Sequence, residues 1–155
     1  MPWSALMQIV QTEHHVVLHT EMFHDARIVP LNARHSKRDW PTWMGESIGW
    51  FEDDTLVVHT INFRPEQSYA AILPMSQHFE LTERFTRTGP DEILYSFAVL
   101  DPIAYTRPFT GERTLKRAAP RDRILEFACH EGNYAMTGIL AGARKLEQDA
   151  RRDAR

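Results

Sequence analysis

Cysteine is nearly absent from this chain: 155 residues hold only one, Cys129. That excludes an internal disulfide framework and any cysteine-rich zinc site. No run of about 18 apolar residues occurs, so nothing reads as a membrane-spanning helix. The seven glycines form neither a phosphate-cradling loop nor a G-x-S-x-G nucleophile elbow. Basic blocks are missing before the closing "RRDAR", and 18 Lys and Arg against 21 Asp and Glu leave a net charge of −3. Nucleic acid is therefore not an expected partner. The opening "MPWSALMQIV" lacks the basic start and continuous apolar stretch of a signal peptide. The expected location is cytoplasmic, with the periplasm as the alternative if this is a mature or truncated form.

What is present is ordinary for a globular domain: 43% hydrophobic and 25% charged residues, in a chain long enough to bury a core around a cavity. Period-two alternation broken by turn residues runs from residue 5 to 129 and predicts strands. The segments are "LMQIVQT", "HVVLHTEM", "ARIVPL", the hairpin "IGWFEDDTLVVHTINF" with Asp53-Asp54 at its turn, "QHFELTERFTRT", "ILYSFAVL", "YTRPFTGERTLKRA" and "RILEFACH". Only the end is helical in pattern. Ala135, Ile139, Leu140, Ala143 and Leu146 recur at helical spacing, which predicts a helix over 134–150 capped by Asn133, then a frayed tail at 151–155. The expected fold is one all-β domain over 1–150, mostly antiparallel, a calycin-like barrel or strongly curled sheet with one C-terminal α-helix. A cupin-like barrel is the alternative.

Three segments carry a resemblance. Trp50 to Phe63 reads close to W-E-G-D-T-L-V-V-x-T-x-N-F, Glu83 to Arg87 reads E-R-F-T-R, and Cys129 to Tyr134 reads C-H-E-G-N-Y. On these the chain resembles a family of largely uncharacterised bacterial proteins, over roughly residues 8 to 145. Two positions depart from the pattern: Asp54 stands where the hairpin turn has glycine, and His59 where the strand is usually acidic. The resemblance implies no activity. It does imply relatives that are longer at the N-terminus and exported.

Alternation also ranks the ionisable residues. His59, Glu83, Arg107, Arg113 and Glu126 fall on faces that are otherwise apolar, and an unpaired buried charge costs several kcal/mol, roughly. They are expected to pair with one another or to line a pocket. Parity places His59, Glu83 and His130 in one cavity, with Arg107 or Arg113 beside Glu83. A purely structural Glu–Arg network is the competing reading of Glu83. His24-Asp25, followed by Arg27, is a second acid–base candidate at the mouth, and Tyr134 opens the helix with its hydroxyl available. Cys129, Gly132 and Asn133 read as structural. His15, His19 and Glu21 share one parity and offer the raw material of a metal site.

Together these features point to a cofactor-independent acid–base enzyme, of lyase or isomerase type, acting on a small apolar or aromatic molecule in a barrel cavity. Its catalytic set would be His24, Asp25, His59, Glu83, His130 and Tyr134, with Arg107, Arg113, Trp50, Phe79, Phe97 and Phe109 binding substrate and no metal required. The alternatives are a non-catalytic carrier of an apolar ligand and a metal-dependent enzyme using His15, His19 and Glu21. Aromatic loops and an apolar helix face exceed what a chain of this size covers alone, so a homodimer is expected.

Overall fold

In the computed structural model, residues 6–36, 39–67, 73–128 and 134–153 are described. Among these residues eight strands form: β1 (Met7–Gln11), β2 (His15–Thr20), β3 (Ala26–Pro30), β4 (Glu46–Glu52), β5 (Thr55–Ile61), β6 (Glu80–Gly89), β7 (Glu92–Leu100) and β8 (Phe109–Lys116). Every pairing between them is antiparallel, in a three-stranded sheet β1-β2-β3 and a five-stranded sheet β4-β5-β6-β7-β8. The predicted all-β, antiparallel character therefore holds. A parallel bridge, Leu31 to Gly49, joins the end of β3 to β4. Among the described residues no pairing links β1 to β8, so the sheets do not close into a barrel.

Turn chemistry sets the hairpins. Asp53 adopts φ +50° between β4 and β5, a conformation that aspartate tolerates better than most residues. Pro90 and Asp91 turn β6 into β7 next to an irregularity at Arg87 and Gly89. Over its described residues the expected ninth strand is not formed. Residues 123–128 carry no strand, and the Leu125 amide donates to the Glu21 carboxylate (3.0 Å) instead of to a ladder.

The main core brings the two sheets face to face. Val16, Leu18 and Val29 of the first sheet pack with Leu56, Val58, Phe85 and Tyr95 of the second. Full burial of such side chains contributes about 1.5–3 kcal/mol each. A second cluster holds Phe63, Phe79 and Val99, with Phe97, Tyr105 and Phe109 against it. Asn62 makes this possible: its φ of +60° breaks the alternation after β5 and turns Phe63 inward.

Residues 1–125 and 126–155 form two compact units. The second holds α1 (Ala135–Asp153), which is amphipathic and braced by an i,i+4 contact from Lys145 to Asp149 (2.9 Å). It runs three residues further than its spacing predicts. No glycine or proline stops it, and Arg151 and Arg152 in its last turn suit the negative end of the helix dipole. No helix among the described residues is long and apolar enough to cross a membrane.

Candidate active site

The pairing register separates residues that alternation grouped together. Val58 lies opposite Glu83, and cross-strand partners share a face, so Glu83 projects with Leu56, Val58 and Thr60 into the core. His59 lies opposite Thr82 and projects from the other face. His59 and Glu83 therefore do not share a cavity. The cause is local: Val57 and Val58 are both buried, because β5 is covered on both faces, and alternation there cannot say which face is inside.

On the inner face Glu83 is completely buried and its partner is Arg27, not Arg107 or Arg113. Arg27 Nη1 donates to Glu83 Oε2 (2.6 Å) and to Thr60 Oγ1 (3.4 Å), and the Tyr95 hydroxyl donates to Glu83 Oε1 (2.9 Å). The Thr60 and Ser47 hydroxyls are 2.8 Å apart. Burial pushes the Glu83 carboxyl up, but the Arg27 charge and the hydrogen bonds outweigh it and hold the carboxyl below its ordinary value. Burial, with the Glu83 charge and hydrogen bond added, pushes the Tyr95 hydroxyl far above the ordinary phenol range. A carboxylate bonded in this way holds its place and does not exchange protons, which supports the structural reading of Glu83.

The outer face of β4 and β5 carries the other ionisable cluster. The Leu31–Gly49 bridge and a bond from the Asn32 amide to the Gly49 carbonyl (2.7 Å) carry the chain out of β3 along β4. Asn32, with φ +54°, then turns it. Ser36 is fastened to Glu46 through its amide and through its hydroxyl (2.8 Å). These contacts set His35 Nε2 at 3.0 Å from His59 Nδ1. The remaining ring nitrogens face carboxylates: His59 Nε2 is 3.5 Å from Glu80, and His35 Nδ1 is 3.9 Å from Glu46. The order is Glu46, His35, His59, Glu80. Exposure rises along it, from 16% at the Glu46 side chain to 46% at Glu80, so the Glu80 end is open.

Two imidazoles in contact need one nitrogen to donate and the other to accept, so they do not both carry a second proton. Burial lowers the His35 pKa, the neighbouring His59 lowers it further, and Glu46 and Glu80 offset part of this. His35, Glu46 and Glu80 were not singled out by the sequence pattern. His35 lies in an irregular segment, Glu46 starts a strand, and Glu80 looks like any edge carboxylate.

The other predicted residues scatter. His24 is exposed, with φ +54° in the tight connection between β2 and β3. Asp25 beside it is half-buried; burial raises its pKa, and Arg27 works in the opposite direction. Trp50 faces outward with His59 and donates from its indole to Glu52 (2.9 Å). Phe79, Phe97 and Phe109 fill the second core cluster, with Phe97 and Phe109 meeting edge-to-face at 6.4 Å. They pack against one another as core. Arg107 is exposed before β8, while the Arg113 guanidinium lies 5.9 Å from the Tyr95 ring centre. Tyr134 is 79% exposed at the start of α1. His130, like Cys129, Gly132 and Asn133, lies outside the described residues.

His15 and His19 do share the outward face of β2, as their parity predicts. Glu21, however, lies past the strand and accepts the Leu125 amide. Among the described residues no three or more His, Cys, Asp and Glu side chains converge in a way that could hold a metal ion. Compared with models of protein families, with curated proteins and with solved structures, the chain matches none.

Proposed function

We propose that the protein is a cofactor-independent acid–base enzyme, of lyase or isomerase type, whose proton-transfer centre is the His35–His59 pair. The observation that carries this reading is the 3.0 Å contact between the two imidazoles, set between two carboxylates. His59 Nε2, at the open end with Glu80, is the nitrogen placed to exchange a proton with a small apolar or aromatic substrate. His35 and Glu46 act as positioning residues that fix the tautomer and orientation of His59. The outer face around His59 includes Ile48, Ile61 and Thr82, a surface suited to a small and mostly apolar molecule.

The calycin-like architecture belongs to the same proposal. Support comes from a core shared by both sheets and from an open cleft of about 710 Å³ lined by residues of β1 and β8, where a barrel would close. Kinship with the bacterial family rests on the motif segments, of which the hairpin is formed as β4–β5 and E-R-F-T-R lies within β6. A homodimer completes the reading, and sedimentation at the mass of one chain at micromolar concentration would remove it.

The test is activity profiling. Purified protein and its His59→Asn variant are incubated with a small-molecule extract and compared by mass spectrometry. The expected result is a substrate–product pair, isomeric or related by loss of a small molecule, that appears with the parent and not with the folded variant. Equal turnover by both proteins would overturn the assignment of His59.

A further inference from the structure

The outer nitrogens of the His35–His59 pair both face carboxylates, and the two neutral rings cannot serve both. Two neutral imidazoles carry two N–H groups on four ring nitrogens. The 3.0 Å contact between His35 Nε2 and His59 Nδ1 uses one of them. One N–H then remains for His35 Nδ1, 3.9 Å from Glu46, and His59 Nε2, 3.5 Å from Glu80. Whichever tautomers form, one carboxylate is turned towards a bare lone pair. His35 Nδ1 is itself buried and has no hydrogen-bond partner.

A cation between the two central nitrogens removes the conflict. Both rings then offer it a lone pair, and both N–H groups sit on the outer nitrogens, each towards its carboxylate. Metal-bound histidines are held in this way, with the nitrogen away from the ion donating to a carboxylate or carbonyl. A third proton meets the same count, so proton and ion compete for the pair. Spacing favours a metal of a particular geometry. Metal–nitrogen bonds of about 2.0–2.1 Å at a right angle set two ligand nitrogens roughly 2.8–3.0 Å apart, and a tetrahedral angle sets them about 3.3–3.4 Å apart. The observed 3.0 Å fits the right angle, which copper(II) and nickel(II) adopt with imidazole ligands. The His35 and His59 side chains are 17% and 26% exposed, so an ion and its water can reach them.

We propose that His35 Nε2 and His59 Nδ1 are the two protein ligands of an exchangeable copper(II) or nickel(II) ion, backed by Glu46 and Glu80 and completed by water. Rotation of the two rings, which now cross at 72°, turns both lone pairs to one point. No cluster of three or more ligating side chains that could hold a metal occurs among the described residues, so the ion is a reversible occupant and not a cofactor. With the ion on Nδ1, His59 Nε2 keeps the proton of its ring and cannot accept another. The ion therefore switches the pair off as an acid–base centre. That consequence rests on the proposed function, whereas the binding itself rests on the geometry of the four side chains.

The test is a calorimetric titration of the full, chelator-treated chain with nickel(II). The expected result is one saturable site that is lost in His35→Gln and in His59→Asn. Glu80→Gln should weaken it by about tenfold or more, because the ring is no longer held from behind. His78→Asn, a change at an exposed histidine, should leave it unaltered. No saturable site in the parent, or equal affinity in His35→Gln, overturns the proposal. If the histidine variants do not fold, crystals of the parent soaked in nickel(II) decide by anomalous scattering at the nickel edge. A peak between His35 and His59 supports the site, and peaks only at other histidines overturn it. A failed titration removes the metal site alone, because turnover by the metal-free protein does not depend on it.

Discussion

His35 Nε2 lies 3.0 Å from His59 Nδ1, although the two residues are 24 positions apart and only His59 belongs to a strand. The contact ties the segment that links the two sheets to β5 of the larger one. It also makes that link sensitive to protons, because the contact has no acceptor once both rings are protonated.

The first prediction follows from the sign of the His35 shift. Burial first, then the His59 charge, lowers its pKa below the ordinary 6.5, so the unfolded chain takes the proton more readily than the folded one. The stability that the neutral ring supplies is full above the unfolded value and is lost as pH falls below it. Melting temperature should drop between about pH 8 and pH 5, and His35→Gln should flatten that slope. An unchanged slope in the variant would show that His35 does not titrate as described.

The second concerns the buried pair. Glu83→Gln leaves Arg27 uncompensated in the core and should cost about 3–5 kcal/mol in denaturant unfolding. Replacing both, as Arg27→Met with Glu83→Leu, should cost less than the single change, since neither charge is then stranded. Because the folded carboxyl lies below its ordinary 4.5, its contribution is present above that pH and lost as pH falls through the folded value. A loss under about 1 kcal/mol for Glu83→Gln would mean that the carboxylate is not held as the geometry indicates.

Gly45 supplies the third. Its φ is +68°, and an added Cβ would meet Thr60 Cγ2 at 2.6 Å and the Ile61 carbonyl oxygen at 2.8 Å. Thr60 is itself held by Arg27 and Ser47 and has little freedom to yield. Gly45→Ala should therefore destabilise by at least about 1–3 kcal/mol. Gly138→Ala in α1, where nothing lies within 4 Å of the added carbon, should instead gain up to about 1 kcal/mol of helix propensity. Urea midpoints and helical circular dichroism distinguish the two, and equal effects would contradict this packing.

Local chemistry made much of the architecture legible in advance. Strong alternation and turn residues marked all eight strands, the Asp53-Asp54 turn and the C-terminal helix, because these depend on neighbours in the chain. The same chemistry overreached at "RILEFACH". A strand needs an edge to pair with, and a pattern alone cannot provide one.

What the sequence by itself determined is therefore the class of the protein, antiparallel β with a terminal helix, and the position of His59 within a strand. Only the tertiary structure decided which side of β5 faces the core. That choice depends on what covers each face, and Val57 and Val58 are equally apolar. It also decided the partners, all distant in sequence: Arg27 for Glu83 across 56 positions, and His35 for His59 across 24. Hydrogen bonds depend on distances between atoms in space, and those distances are set only when the two sheets pack face to face and the chain between them is drawn along β4.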